Sequence, residues 1–435
     1  MDSYNSCEIH DRLSELPDVL IAEILSLLPM TQVVSTMLLS KRWLHLWTTV
    51  PCLDFARSFH RVIFDKNNKY KYQEFVRGAL AHWKGSKIKK FNLTFFTDLD
   101  SVAAGIAIFD SALLFAVEKQ VEELYVCNGD SQIDYCPPQR LYSCSSITKM
   151  SIFCCELRID VAVQWNGLKS LTLRGSKWLS QDAMNRILAG APLLEELILK
   201  VCDLSENLNF RSNSLKKLKF GSYYATVFEE VLRIWAPNLL DLEISGYFYG
   251  ICLLDVPSLT NAKLSFKESF DDETYADKPS VEMFNQVFQS IRHVEKLTLS
   301  DFSIKTLLHM KHSGFLVEFS NAKSIYLYSG EAGEILGVLD MFPNMTKLWV
   351  QLDQEVYFRL EKEARLCGVD VNDSHLSKEA LPSPYIHHLQ RVEITWFTRD
   401  ASIIPVIQIL LQNAHLYYLI SRSLSMKIFN SFHHI

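Results

Sequence analysis

One pattern limits what this chain can fold into: L-x-x-L-x-L, with aliphatic or aromatic substitutions. It occurs at Val121–Val126, Ile147–Ile152, Leu168–Leu173, Leu194–Leu199, Leu215–Phe220, Leu239–Ile244 and Leu259–Leu264. It returns at Val294–Leu299, Ala322–Leu327, Met345–Val350 and Leu389–Ile394. Most intervals fall between about 20 and 28 residues, the spacing of stacked structural repeats. Longer gaps follow Leu93, Leu264 and Val350 and mark insertions. Successive side chains in a strand alternate between faces, so the last two pattern residues share one buried face. A unit this short cannot bury that face alone, and its neighbours must stack against it.

A second element repeats just upstream. Pro192-Leu-Leu-Glu-Glu-Leu197, Pro237-Asn-Leu-Leu-Asp-Leu242, Pro257-Ser-Leu-Thr-Asn-Ala262 and Pro343-Asn-Met-Thr-Lys-Leu348 share one spacing from proline to central strand residue. Proline ends whatever helix precedes it and favours an extended path into the strand. Helices are expected at Ser180–Ala189, Thr226–Trp235 and Glu331–Met341, with Ser180 as an N-cap and Gly190 as a C-cap. Each unit then reads as helix, proline turn, short strand. Tyr72–Trp83 has helical spacing, Ile88–Leu93 alternates like a strand, and Val102–Val117 reads as a buried helix. That apolar run is shorter than the roughly 20 residues a membrane span requires.

The stretch from Arg12 to Phe55 is different. It reads as three short helices. Pro17 and Asp18 open the first and Pro29 closes it, while Thr31 and Ser40 are expected as N-caps for Gln32–Leu39 and Lys41–Thr48. Leu20, Ile21, Ile24, Leu25, Leu27 and Leu28 cover more of the first helix than the roughly 100° stripe one core needs. The third carries Trp43, Leu44, Leu46 and Trp47 close together. Some of this surface must be covered by a partner, or by the rest of the same chain.

Leu16-Pro17, Ile24-Leu25, Leu28-Pro29, Val33-Val34, Leu39-Ser40-Lys41-Arg42-Trp43 and Leu46-Trp47 together resemble an F-box. Asp11-Arg12-Leu13-Ser14 and Leu53-Asp54-Phe55 are similar to the plant F-box/leucine-rich-repeat group (the F-box/FBD/LRR proteins). The resemblance implies docking onto a Skp-type linker and, through it, a cullin. Leu16, Pro17, Ile24, Leu25, Leu28, Pro29, Val33, Leu39, Trp43, Leu46 and Trp47 are the implied linker-binding residues. The fold class expected is α/β: a short all-helical F-box, then a leucine-rich-repeat solenoid with parallel strands on the concave side and helices on the convex side. Ser377–Ile420, with the strand Leu389–Ile394, the expected helix Pro405–Ala414 and Leu410-Leu411-x-Asn413-Ala414, resembles an FBD segment. The tryptophan and cysteine expected before that strand are missing. The expected domains are the F-box at 10–55, a connector and N-terminal cap helix at 56–86, the solenoid at 87–352, the FBD-like segment at 377–420 and a poorly packed tail at 421–435.

Composition narrows the function. Hydrophobic residues at 48% and charged residues at 22% of 435 fit a soluble chain. The net charge of −6 argues against a general nucleic-acid binder. Lys87, Lys89 and Lys90 are the one small basic cluster, read as a solvated strand end. Ten cysteines without a C-x-x-C suggest a reducing compartment, cytoplasmic or nuclear, and no zinc site. Cys155 and Cys202 occupy the Asn/Cys position of a leucine-rich repeat and read as structural, and the adjacent Cys154 and Cys155 as residues on opposite strand faces. No G-x-S-x-G, H-E-x-x-H or Walker-type loop occurs. His387-His388 and His433-His434 lack neighbours at ligand spacing, and Asp271-Asp272-Glu273 reads as a solvated loop. Neither a catalytic residue nor a cofactor or metal is expected.

The reading that follows is a non-catalytic substrate adaptor of an SCF-type cullin ubiquitin ligase, working on an unknown protein and touching neither nucleic acid nor membrane. A small-molecule-dependent receptor of the same ligase class would need basic residues converging in a pocket. A repeat scaffold outside ubiquitination would tolerate a degenerate F-box, and this one keeps its motifs. The outward strand positions place the substrate. Ser170, Thr172, Lys217, Lys219, Asp241 and Glu243 make an ordinary polar surface, whereas Tyr326, Tyr328 and Trp349, with Lys347 and Gln351 beside them, are expected to form one substrate-binding patch. The alternative is that these rings only cover the face beneath the C-terminal segment.

Overall fold

A computed structural model of the chain describes residues 15–56, 66–96, 102–129, 133–157, 161–175, 180–200, 208–222, 231–246, 250–266, 281–329, 332–352, 388–396 and 417–422. The chain divides into two compact units, 1–195 and 196–435.

The first unit opens with three short helices, α1 (Asp18–Leu25), α2 (Met30–Ser35) and α3 (Trp43–Leu46), the latter two running on into 3-10 turns at Thr36–Leu38 and Trp47–Thr49. The residues at the starts of α2 and α3 are Pro29 and Arg42, not Thr31 and Ser40. No side chain caps α1 or α2, and their first intrahelical bonds go to proline carbonyls: Pro29 O accepts from Gln32 N and Val33 N, as Pro17 O accepts from Leu20 N and Ile21 N. A proline fixed near the helical φ has no N–H to leave orphaned there.

Then follow β1 (Cys52–Asp54), α4 (Lys66–His82), β2 (Lys90–Phe95), α5 (Val102–Glu118), β3 (Glu123–Asn128), β4 (Lys149–Phe153), β5 (Ser170–Arg174) and α6 (Gln181–Gly190). The strands pair in parallel in chain order, β1 to β5. In α5, Phe109, Ala112, Leu113 and Ala116 are buried, a spacing of three and four that faces a core. Among the described residues no helix is long and apolar enough to cross a membrane. Ser180 caps α6, its hydroxyl accepting from Ala183 N at 3.1 Å. Gly190 is not the C-cap: it is the last helical residue, and Ala191 follows as cap. Its side is closed by the neighbouring repeat, since a Cβ there would lie 2.3 Å from Val163 O.

The second unit runs β6 (Glu196–Lys200), β7 (Leu208–Arg211), β8 (Lys217–Ser222), β9 (Val231–Trp235), β10 (Asp241–Gly246), β11 (Gly250–Asp255), β12 (Asn261–Phe266), α7 (Val281–Ser290), β13 (Lys296–Leu299) and α8 (Asp301–His312). It ends with β14 (Ser324–Ser329), α9 (Ala332–Val338), β15 (Lys347–Leu352), β16 (Arg391–Trp396) and β17 (Tyr417–Arg422). Its main sheet is parallel in the order β6-β8-β10-β12-β13-β14-β15-β16-β17. A second parallel sheet has the order β11-β9-β7. This sheet corrects the helix expected at Thr226–Trp235, of which 231–235 is strand β9. Leu232 and Ile234 are buried and Arg233 is exposed, a period of two. Pro237 and Pro257 therefore follow strands, whereas Pro192 and Pro343 follow α6 and α9. The expected helix at Glu331–Met341 is α9 with a 3-10 turn, Leu339–Met341.

Every pattern residue is buried. The central Leu171 of the first unit and Leu197, Leu218, Leu242 and Leu348 of the second are each 0% exposed. The register is constant through the second unit, where Leu197, Leu218, Leu242, Ala262, Leu297, Ile325, Leu348 and Val392 are successive partners. The insertion after Leu264 leaves this register unbroken. The proline turns share one hydrogen bond: Leu239 N to Ala236 O, Leu259 N to Val256 O and Met345 N to Phe342 O, as Leu194 N to Ala191 O in the first unit. Proline at the second position of such a turn has its φ already set. Asn238 and Asn344 then donate from the turn to the preceding repeat, at Asn213 O and Ser320 O. Ser421 and Arg422, expected in a tail, complete β17. The N-terminal tail, Cys202, Asp271–Glu273, His387, Pro405–Ala414 and His433-His434 lie outside the described residues.

Leu197→Ala should destabilise the second unit by roughly 2–5 kcal/mol in chemical denaturation, the usual cost of a cavity at a buried leucine. Glu243 gives a pH test. Burial raises its pKa, but hydrogen bonds and charge from Lys219 and Lys263 outweigh this and leave it lowered. A depressed carboxylate stabilises the fold above its unfolded pKa, and that stabilisation is lost as pH falls through the folded value. The stability gap between wild type and Glu243→Gln should therefore be full at neutral pH and close below about pH 4.5.

Candidate functional site

Two surfaces stand out, one in each unit. The first is built by α1 to α3. Ile21 and Leu25, one helical turn apart, are buried together with Met30, Val33, Trp43, Leu46 and Trp47. Behind them Trp83 Nε1 donates to Val50 O at 2.9 Å, and Lys84 N to Thr48 O at 2.7 Å, so the module packs on the end of α4. Arg42 fastens its two ends, with Nε donating to Asp18 Oδ1 at 3.0 Å and Nη2 to Leu16 O. That contact joins Leu16-Pro17-Asp18 to Ser40-Lys41-Arg42-Trp43.

The burial corrects five of the expected linker-facing residues. Leu25, Val33, Trp43, Leu46 and Trp47 form the module's own core, because short helices need their i and i+4 positions to hold one another. Pro17, Ile24 and Leu39 are exposed, and Leu16, Leu28 and Pro29 are half-buried. The apolar surface is carried instead by residues the sequence reading left out or did not separate from the core. Val19 (70% exposed), Leu20, Leu27 (73%), Met37, Leu38 (81%) and Leu44 join Ile24 and Leu39. Assigning Ile21 and Leu25 to the core by their spacing would have released Leu20, Ile24 and Leu27 to the outside.

The second surface lies on β13 to β16, on the side of the sheet opposite the buried leucines. Tyr326 and Trp349 are register partners. Their rings stack at 4.2 Å between centroids with planes 3° apart. Lys296 Nζ sits 4.6 Å from the Tyr326 centroid, and Arg391 Cζ 5.9 Å from that of Trp349. Trp349 Nε1 donates to Glu393 Oε2 at 3.0 Å, which also accepts from Arg391 at 3.2 Å. Stacking leaves Tyr326 and Trp349 half-buried, while Tyr328, two residues along β14, is exposed. The structure brings two of the three expected rings into contact and sets the third beside them. The flanking cations were not singled out in sequence, although their outward position follows from the same alternation.

No catalytic constellation accompanies these surfaces among the described residues, nor a cluster of His, Cys, Asp or Glu that could hold a metal ion. Cys155 is buried, donates to Phe153 O at 3.2 Å and is pushed up chiefly by burial, which suppresses its thiolate. Cys154 is exposed, but through a positive φ of 53° just past β4 rather than through strand alternation. Lys87 pairs with Glu122 at 2.6 Å, and Lys87, Lys89 and Lys90 are solvated.

Comparison with known proteins places the first surface. The F-box domain family matches residues 13–55. The family described as FBD-associated F-box protein At5g56370, LRR repeats, matches residues 109–259. F-box/FBD/LRR-repeat protein At1g13780 of Arabidopsis thaliana is 28% identical over 90% of this chain and 87% of its own length. F-box protein At5g03100 of the same plant is 27% identical over 68% of this chain and 91% of its own length. F-box/LRR-repeat protein At5g02910 is 27% identical over 78% and 69%. With α1 to α3 inside the stretch that matches the F-box domain and β3 to β11 inside the stretch that matches its associated repeats, the chain is similar to the F-box/FBD/LRR-repeat proteins.

Proposed function

We propose that this protein is the substrate-recognition adaptor of an SCF-type cullin ubiquitin ligase. The observation that carries the reading is the apolar surface of α1 to α3 that the module's own core leaves uncovered, with Leu38 at 81%, Leu27 at 73% and Leu39 at 67% exposure. Exposed leucines this closely grouped are costly in water and mark a site that a protein partner covers. A Skp-type linker is the partner an F-box implies, and a cullin follows through it. The repeats would hold the protein to be modified, with Tyr326, Tyr328 and Trp349 in the contact. The adaptor does no bond chemistry. It converts an encounter between substrate and ubiquitin-charged enzyme into a local event at high effective concentration.

The exposed residues supply the test. Leu20→Asp with Leu38→Asp changes surface positions only, and should leave the thermal transition unchanged while weakening linker binding at least about 100-fold. Calorimetry with purified linker reads both quantities. Linker affinity within a few-fold of wild type in the folded variant would refute the docking face. Leu25→Asp with Trp43→Ala strikes the core instead, and should melt α1 to α3.

A further inference from the structure

The outward face of the second unit's main sheet changes its charge arrangement part-way along. From β6 to β12 it is self-neutralising. Lys217 pairs with Glu196 at 2.8 Å, and Glu243 is held between Lys219 at 2.6 Å and Lys263 at 3.3 Å. From β13 to β16 the alternation stops. Lys296, Lys347 and Arg391 all stand at the same outward position, immediately before the central buried residue of their strands. Glu393 is the carboxylate on this stretch, and it is engaged by Arg391 and Trp349. Among the described residues no carboxylate pairs with Lys296 or Lys347.

Two features make this more than a scatter of surface lysines. Lys347 and Arg391 are direct register partners, about 4.8 Å apart along the sheet, where like charges oppose folding. The stacked pair Tyr326 and Trp349 holds the outer cations by their ring faces, Lys296 at one end and Arg391 at the other. With both outer ring faces taken by these cations, an incoming aromatic group finds no free face on which to stack. What the ladder offers is a row of positive charge, its two ends held by the rings, on a chain whose net charge is −6.

The geometry points to an acidic peptide segment as the occupant: the β13–β16 face binds a run of Asp or Glu side chains in the substrate protein, with Lys296, Lys347 and Arg391 as the receiving groups. This deepens the adaptor reading and rests on it for the word substrate, though the binding itself can be measured without it.

The experiment uses the full chain, alone and in the presence of a Skp-type linker. Fluorescence anisotropy follows labelled peptides of alternating glutamate and glycine, the matching glutamine and lysine peptides, and a single-stranded RNA oligonucleotide. The expected result is binding of the glutamate peptide that weakens with salt, little binding of the other two peptides, and weaker binding of the RNA. Lys347→Glu with Arg391→Glu should weaken the glutamate peptide roughly tenfold or more. Lys149→Glu, an exposed charge of the first unit, should leave it unchanged. If the reversal variant fails to fold, Lys296→Gln with Lys347→Gln takes its place, with a smaller loss expected. Glutamate and glutamine peptides of equal affinity, RNA bound more tightly than the glutamate peptide, or wild-type affinity in the folded charge variants would each overturn the proposal. Linker capture measured on the same samples separates the two ideas: its loss in wild type sinks the adaptor reading, whereas its retention without peptide binding sinks this one.

Discussion

The repeats depend on one constraint, the two-residue alternation of a parallel strand kept in register with its neighbours. In the second unit the ladder from Leu197 to Val392 places buried residue beside buried residue at every step. A slip of one residue would move each of these apolar side chains to the solvent side, so the pattern itself enforces the pairing. Proline turns, and asparagines that donate to the preceding repeat, fix where each strand begins. Because one face is committed to the core, the other can vary without shifting the register. Self-paired charges on β6 to β12 and a cation-flanked aromatic pair on β13 to β16 are two uses of that freedom.

The F-box module solves a different problem. About forty residues supply more apolar side chains than they can enclose, and the structure divides them by helix face. Ile21, Leu25, Val33, Trp43 and Trp47 go inward, while Leu20, Ile24, Leu27, Leu38 and Leu39 stay out. The inward set makes the module stable enough to present the outward set as a rigid surface. Such a division suits an adaptor, which works by holding two partners rather than by changing either.

The sequence made the repeat strands legible because their signal is redundant: each strand carries three apolar positions, and the proline spacing confirms several independently. The second sheet was not legible in the same way. In Val231–Trp235 a short apolar run before a proline suits helix or strand alike, and only pairing with β7 and β11 decides it. Gly190 illustrates the same limit, since a glycine at a helix end reads as a cap unless the approach of Val163 is known. In the F-box, sequence resemblance named the residues that define the motif. It could not separate those that build the module from those that face outward, because both are leucine and tryptophan. The aromatic pair was visible from alternation, whereas its cationic flanks needed the register.

Amide hydrogen exchange on the full chain, alone and saturated with a Skp-type linker, tests directly whether the exposed leucines of α1 to α3 form the docking face. New protection should concentrate in peptides spanning 15–46, where the exposed leucines lie, with the repeat strands of the second unit unchanged. Protection confined to those repeat strands, or none anywhere in 15–46 at saturating linker, would contradict that assignment.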